Sequence, residues 1–196
     1  MKKTLIILVL FLSLLGCEQV YIKDFKIEGI GLGDSLLDFF TKDKIKPQIE
    51  KNKNKYTQHG FNNKFVEVDY YAQEHTYDQL SFFIKPDDPK YIIYSLSGII
   101  NYEENIDQCY EKLNEVVKEF SSMFKDAEQF EVEGNHSADI TGKSTFKTVY
   151  FLVDTGERVD VSCYDFDKTM QIKGDNKDGL SIFIDSLEFS EWFVQP

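Results

Sequence analysis

The sequence predicts an α+β fold in which antiparallel sheets carry helices packed on one side. Runs of alternating apolar and polar residues predict strands, and these runs fall into two groups with turn residues between their members. One long stripe of apolar residues at three- and four-residue steps predicts an amphipathic helix between the groups. We therefore expect two helix-then-meander halves, over residues 25–102 and 103–196.

The first half is predicted to open with a short strand and a helix, followed by three strands. Gly33 interrupts the first strand, and Asp34 is a suitable N-cap for a helix over residues 35–40. Thr41 is a candidate cap for another turn, and Pro47 is expected to disturb the helix that follows. The predicted strands cover residues 25–30, 65–71, 79–85 and 91–102. One face of the last strand is expected to carry Ile92, Tyr94, Leu96 and Ile100.

The second half opens with the strongest helix signal in the chain. Asn105 is its predicted N-cap, with Gln108 in the position of a capping box. Its apolar stripe includes Cys109 and is expected to cover the sheet. Asp154-Thr155-Gly156 joins the clearest hairpin. The remaining predicted elements are strands over residues 129–133, 145–153, 157–166 and 180–184, and a C-terminal helix over residues 186–194.

The composition argues against a nucleic-acid-binding protein. The chain contains 34 acidic and 22 basic residues, and its formal net charge is −12. It also lacks a polybasic patch that would attract it to anionic lipid, so we expect any membrane contact to come from a covalent lipid. Aromatic residues make up 15% of the chain, which suits sheets with one packed face or a ligand groove.

The N-terminus has the features of a bacterial export signal. Lys2 and Lys3 precede an apolar run over residues 4–15. The run is too short to span a bilayer as a helix and has the length of a signal-peptide core. It leads into residues 14–17, Leu-Leu-Gly-Cys, which resemble the lipobox of bacterial lipoproteins. In such proteins the cysteine, here Cys17, receives a diacylglycerol and becomes the first residue of the mature chain.

The lipobox resemblance implies a division of the chain and a location. Residues 1–16 are the expected signal peptide, 17–24 a lipidated tether and 25–196 a single α+β domain. The protein is then a membrane-anchored lipoprotein of the bacterial cell envelope, and Glu18 is compatible with an outer-membrane position facing the periplasm in a Gram-negative source. An ordinary secretory signal that happens to end near a cysteine is the alternative.

The order of helix and meander is similar to that of two kinds of exported protein. One is the small lipoprotein of the β-barrel assembly machinery, and the other is the β-lactamase-inhibitor-protein fold, which has two such halves. The likeness is carried by residues 31–40 and by the hairpin over residues 80–100, although Gly33-Asp34-Ser35 replaces the usual Gly-Met-(Ser/Thr) opening. The mature chain also looks like an uncharacterised group of bacterial exported proteins. These resemblances imply a fold and no chemistry.

Two cysteines remain after Cys17. Cys109 lies in the apolar stripe of the long helix, and Cys163 shares a strand face with Val159 and Val161. Both are therefore expected in the core, where they form a disulfide if the protein is exported to an oxidising compartment. Two buried free thiols that act as small apolar side chains are the alternative.

Two groups of residues in one loop have the types found in catalytic sites. Gly142-Lys143-Ser144-Thr145 copies the end of a phosphate-binding loop, but Ser137 occupies the position where that pattern needs a glycine. His136, Asp139 and Ser144 supply the residue types of a hydrolytic triad, but no nucleophile elbow is present. A polar loop before a strand explains both groups, and we expect no catalytic residue here.

Metal binding receives little support from the sequence. His59, His75 and His136 are scattered, and no metal-binding spacing relates them. Residues 175–179 offer oxygen ligands in a turn but lack the EF-hand pattern. We expect no metal and no cofactor. Other acidic residues near the last strands are expected to face solvent: Asp154, Asp160, Asp165 and Asp167.

The expected function is that of a non-catalytic, lipid-anchored envelope protein that binds another protein or a small ligand. Its expected partners are the membrane, through the lipid on Cys17, and another envelope protein, with no nucleic acid among them. Two alternatives remain: an envelope hydrolase with an unrecognised site, and a secreted inhibitor-like protein that presents a concave sheet to an enzyme. A deep pocket with convergent polar groups would favour an enzyme, and an exposed aromatic patch would favour a binding protein.

Overall fold

A computed structural model describes residues 21–57, 60–71, 76–102, 105–174 and 176–194. Within them it contains nine strands, four α-helices and two short 3-10 helices. The strands are β1 (Lys26–Ile27), β2 (Ile30–Gly31), β3 (Val66–Tyr71), β4 (Gln79–Ile84), β5 (Ile93–Asn101), β6 (Glu128–Asn135), β7 (Thr145–Leu152), β8 (Arg158–Asp165) and β9 (Gly179–Asp185). The α-helices are α1 (Lys42–Asn52), α2 (Ile106–Met123), α3 (Lys168–Gly174) and α4 (Leu187–Phe193). The 3-10 helices are Ile22–Asp24 and Leu36–Asp38.

Seven strands form one antiparallel sheet in the order β3-β4-β5-β9-β8-β7-β6. The predicted meanders are β3-β4-β5 and β6-β7-β8, and every neighbouring pair is antiparallel. The last strand, β9, pairs with both β5 and β8 and so joins the two meanders into a continuous sheet. The predicted α+β class with antiparallel strands is confirmed. A separate two-stranded sheet pairs β1 with β2.

Helix α2 covers the second half of the sheet, as its apolar stripe predicts. Asn105 caps the helix, and its side-chain oxygen accepts a hydrogen bond of 3.0 Å from the backbone N–H of Asp107. The helix contacts β8 and β9. Its fully buried side chains are Cys109, Leu113, Val116 and Phe120.

Helix α1 packs against the outer strand of the first half. Ile45 and Ile49 point into the same core as α2, and the helix contacts β3. Pro47 lies inside α1, where it removes one N–H donor, but the helix continues to Asn52. The burial of both isoleucines stabilises the helix across the position that the sequence marks as a break.

The helices do not all lie on one side of the sheet. Leu80, Phe82 and Ile84 of β4 face the core of α1 and α2, so the intervening Phe83 points to the opposite face. Phe83 packs there against Phe189 of α4, with ring centroids 4.6 Å apart. The expected one-sided arrangement is therefore corrected for α4, which builds a second, smaller core on the other face.

The first elements differ in detail from the prediction. The expected strand over residues 25–30 is a tight hairpin of β1 and β2, because Glu28 and Gly29 both have positive φ values and reverse the chain. Ser35, not Asp34, caps the following 3-10 helix, since its hydroxyl accepts from the backbone N–H of Leu37. The Asp34 carboxylate instead accepts from the backbone N–H of Gly31 at 2.9 Å.

A register shift changes the core face of β5. The pairing between β4 and β5 is irregular at Phe83 and Ile84. As a result Ile93 lies in the main core together with Leu96, whereas the sequence alternation favours Ile92. An extra residue in one strand reverses the side to which the residues beyond it point.

The folded domain begins before the predicted boundary at residue 25. Ile22 is only 1% exposed and belongs to the main core. The expected tether over residues 17–24 is thus partly inside the fold, and its residues 17–20 lie outside the described ones. A single apolar residue has no periodicity, which is why the sequence pattern did not include Ile22 in the domain.

Candidate functional site: the open face of the sheet

Among the described helices, none covers strands β6 to β8 on the sheet face opposite α2, and we call this part the open face. Its members are known from alternation, because Val149, Val159 and Val161 point to the core and their neighbours point away. The residues that form the open face are Glu128, Phe130, Val132, Gly134, Phe146, Thr148, Tyr150, Leu152, Arg158, Asp160, Ser162, Tyr164 and, on adjoining β9, Gly179, Ser181, Phe183 and Asp185.

Arg158 lies between two carboxylates on the open face. Its Nε and Nη2 donate to Asp185 Oδ2, the first at 3.1 Å, and its Nε is 3.5 Å from Asp160 Oδ1. The other oxygen of Asp185 accepts a hydrogen bond of 2.6 Å from Ser95 Oγ on β5. The side chains of Arg158 and Asp185 come together because the strand register places these residues directly opposite each other on β8 and β9. We call these four residues the charge cluster.

The charge cluster is almost closed to solvent. Asp160 is 6% exposed and Asp185 is 1% exposed. Burial raises the pKa of Asp160 to about 7 and the charge of Asp185 adds to this rise, while Arg158 and Ser162 oppose it. Asp185 accepts from three close donors, whereas the contacts of Asp160 are 3.4 Å and 3.5 Å long. The pair therefore takes up its first proton on Asp160, and the cluster is then electrically neutral.

A row of hydroxyl groups runs beside the charge cluster. Thr148 Oγ1 and Ser162 Oγ are 2.8 Å apart, and Ser162 Oγ also lies 3.4 Å from Asp160 Oδ2. Ser181 is opposite Ser162 across the next strand pair. Within the described residues, the buried hydroxyls of Ser97 and Ser181 have no hydrogen-bond partner. The hydroxyl groups of these two serines can therefore still form hydrogen bonds. Leaving a buried hydroxyl group without a partner costs about 1–3 kcal/mol.

Aromatic side chains flank the buried polar groups and reach the surface. Phe130 is 42% exposed and stacks on Tyr150, with ring centroids 4.9 Å apart. The guanidinium carbon of Arg158 lies 5.6 Å from the centre of the Tyr150 ring. On the other side, Tyr164 stacks on Phe166 at 5.7 Å. The open face is therefore a layer of half-exposed rings around a buried polar centre, in which the guanidinium and the carboxylates pair with each other.

The charge cluster lies outside the two pockets that the structure presents most clearly. One pocket of about 280 Å³ lies between the N-terminal segment and the end of α2, near Ile22 and Phe124. Another of about 480 Å³ lies beside β6, near Glu133 and Tyr110. Neither is lined by a residue of the charge cluster. A raised pKa near 7 is suitable for acid–base chemistry, but neither of these two pockets adjoins Asp160.

The residues that resemble a triad serve the structure of their own loop. Asp139 accepts hydrogen bonds from the hydroxyl and N–H groups of both Thr141 and Ser144. These bonds hold the pKa of Asp139 far below its usual range. Ser144 Oγ thus donates to Asp139 directly, while the Nδ1 of His136 accepts from the N–H of Ala138. No imidazole stands between serine and carboxylate, so the arrangement is not that of a triad.

The other candidate segments also have structural roles. Ser144, in the segment that resembles a phosphate-binding loop, is fully buried, and its hydroxyl accepts from the N–H of Asp167. Asp178, from the candidate calcium turn, accepts from the N–H of Phe166 at 2.6 Å and from Gln171 Nε2 at 3.0 Å. Both side chains are thus engaged in local contacts that organise the ends of β7 and β9.

Several predicted sites lie partly outside the described residues. Cys17, His59, His75 and Asp175 belong to this group. Among the residues that are described, no group of three or more potential ligands is placed to hold a metal ion. The described helices also include none that is long and apolar enough to cross a membrane.

A disulfide joins the two cysteines that the sequence places in the core. Cys109 on α2 and Cys163 on β8 have Cα atoms 6.0 Å apart, and both side chains are fully buried. The structure thus has the bridge and not two free thiols. It ties the helix to the strand that also carries Arg158 and Asp160 on its other face.

The charge cluster was not predicted from the sequence. The sequence alternation predicts a solvated position for Asp160, but its side chain is buried between Tyr150 and Phe183. One signal was available: Arg158 is the only arginine in a chain that otherwise uses lysine. Arginine is preferred for buried ion pairs because its guanidinium can bind two groups at once.

Comparison with protein families, curated proteins and solved structures gave no match to this chain.

Proposed function

We propose that the chain is a non-catalytic, lipid-anchored binding module of the bacterial cell envelope, and that the open face is where it binds a partner protein. The observation that carries the proposal is the set of half-exposed rings, led by Phe130 and Tyr150, around the charge cluster. Aromatic rings are enriched at binding surfaces because they contribute a large contact area and lose little conformational freedom.

In this proposal the charge cluster has a structural role, because it stabilises the sheet that carries the binding surface. A guanidinium between two carboxylates holds β8, β9 and β5 together through Arg158, Asp185 and Ser95. Strand β8, which presents Tyr164 and pairs with the β7 strand of Tyr150, is therefore held in a fixed register against β9. A rigid surface loses less entropy on binding than a mobile one, which favours affinity.

The anchor supports a position close to the membrane. If Cys17 is lipidated, five chain steps separate it from the buried Ile22. A fully extended chain of that length spans at most about 18 Å. The domain would then stay within that distance of the bilayer, and partners in the same envelope layer would be the accessible ones.

An enzyme is the second candidate, and the pKa of Asp160 near 7 is the one observation in its favour. The absence of this residue from the lining of both pockets described above supports the binding module instead.

Lipidation is tested by Cys17→Ser in the native host. We expect the wild-type protein to incorporate labelled fatty acid and to lose residues 1–16, as lipoprotein processing requires. The variant should incorporate none and retain its signal peptide, which mass spectrometry of the intact protein measures. Normal cleavage and labelling of the variant would overturn the anchor.

The binding surface is tested by photo-crosslinking in living cells. A benzophenone amino acid replaces Tyr150 on the open face, and in a matched control it replaces Lys118 on the solvent side of α2. We expect a discrete, reproducible adduct from position 150 and none from position 118. Equal adducts from both positions, or adducts from neither, would reject the open face as the binding surface.

A further inference from the structure

Among the described residues, β6 is a long edge strand that pairs on one side only, with β7. It pairs with β7 through all eight of its residues, Glu128 to Asn135, without a register shift. All eight are exposed, and β6 is the last strand in the sheet order. Alternate residues of an antiparallel edge strand direct their N–H and C=O groups away from the sheet, where they can pair with another strand.

The opposite edge of the same sheet is closed by side chains. Gln48 of α1 donates from Nε2 to the carbonyl of Asp69 at 2.8 Å and accepts from the N–H of Asp69 at 2.7 Å. Asn52 donates to the carbonyl of Glu67 at 2.9 Å. These amides take the place of a neighbouring strand along β3. The backbone of β3 is thus protected against pairing with a further strand, whereas the outer side of β6 is available for it.

The side chains of β6 indicate what kind of strand would fit. Glu131 and Glu133 are on the face of β6 that adjoins α2, and Phe130 and Val132 are on the open face. Lys147 on β7 pairs with Glu131 at 2.9 Å, and β6 itself contains no basic residue. A complementary strand would therefore alternate basic residues opposite the glutamates with apolar residues opposite Phe130 and Val132.

We propose that the free edge of β6 binds an extended segment of a partner protein in which lysine or arginine alternates with apolar residues. The segment adds an eighth strand to the sheet, so that its backbone pairs with β6 and its apolar side chains extend the open face. This inference rests on the proposed function and assigns the mode of binding to it.

A second copy of the chain is a poorer occupant of this edge. In the two central antiparallel registers of β6 with itself, Glu131 would lie opposite another Glu131 or opposite Glu133. Like charges directly opposite each other destabilise a strand pair. The glutamates therefore disfavour self-pairing and favour a basic segment, which is specificity by charge.

The test uses the mature protein in detergent micelles and three fluorescent heptapeptides. The first alternates lysine with valine, the second alternates glutamate with valine, and the third is the lysine peptide with alternate backbone nitrogens methylated. Fluorescence anisotropy measures each affinity, and amide hydrogen exchange of β6 locates the binding. The variant is Glu131→Lys/Glu133→Lys, with its fold checked by circular dichroism.

We expect the wild-type protein to bind the lysine peptide at least about ten-fold more tightly than the glutamate peptide. The double variant should reverse this order. Methylation should abolish binding, because methylated nitrogens cannot donate to β6, and bound peptide should slow exchange in β6 but not in β3.

Three results would overturn the inference. Equal affinity of the methylated peptide would show attraction by charge alone, and failure of the lysine peptide to bind the wild-type protein would remove the proposed occupant. Concentration-dependent dimers with slowed exchange in β6 would show that a second copy occupies the edge. If the peptides fail while crosslinks from position 150 persist, the binding module stands and only the edge is refuted.

Discussion

Reduction of the disulfide between Cys109 and Cys163 should destabilise the domain without emptying its core. The bond closes a loop between residues 54 positions apart and joins α2 to the central part of the sheet. Reduction leaves both sulfur atoms in place, so the buried volume changes little. The change in the free energy of unfolding therefore reports the crosslink itself.

The expected loss follows from the entropy of the unfolded chain. For a loop of this length, the chain-entropy relation gives about 4 kcal/mol at 25 °C. With a urea dependence of about 2 kcal/mol/M, the unfolding midpoint should fall by about 2 M. The dependence itself should become steeper, because an unfolded chain without the crosslink exposes more surface.

Trp192 provides the signal, since it is the only tryptophan and is 1% exposed in the folded domain. Urea unfolding is followed by its fluorescence with and without reductant, and Cys109→Ala/Cys163→Ala serves as the control that reductant should not affect. Thiols are counted in the denatured, unreduced Cys17→Ser protein, so that only Cys109 and Cys163 can contribute. Two titratable thiols there, or equal midpoints with and without reductant, would refute the bridge and the magnitude derived from it.

Two further predictions concern the charge cluster and the closed edge. Burial raises the pKa of Asp160 to about 7 in the folded state, from about 3.9 when unfolded. Its protonated form therefore stabilises the domain below about pH 4, and this contribution is lost as the pH rises towards 7. Urea midpoints should fall over this range more in the wild-type protein than in Asp160→Asn; parallel pH curves would contradict the burial argument. Gln48→Ala should cost about 1–3 kcal/mol and speed exchange of the Asp69 amide, because it leaves backbone groups of β3 unpaired. The exposed Lys51→Ala is its control, and equal effects of the two variants on urea unfolding would contradict the role of Gln48.

The identity of most elements could be predicted because each depends on neighbours in the sequence. Alternation at Leu80, Phe82 and Ile84 marks the core face of one strand whatever its partners are. The stripe that contains Cys109 marks the buried side of α2, and the alternation around Cys163 does the same for β8. These two local patterns together were enough to place both cysteines in one core.

The candidate site could not be predicted in this way. Alternation shows that Asp160 points away from the core of α2, and solvent is the simplest expectation for a carboxylate on that side. Its burial depends on Tyr150 and Phe183, which lie on the two neighbouring strands. No local pattern in β8 records which side chains those strands bring.

The sequence by itself thus determined the class of the fold, the core-facing side of most elements and the position of Cys109 and Cys163 in the core, and it left open whether the two form a bridge. Only the tertiary structure decided that β9 inserts between the meanders, that α4 occupies the opposite face, and that, within the described part of the chain, one sheet edge is closed while the other is open. The physical reason is that these features depend on contacts between residues that are far apart in the sequence. Ser95 and Asp185 are 90 positions apart in the chain, and their hydrogen bond exists only because β5 and β9 become neighbours in the sheet.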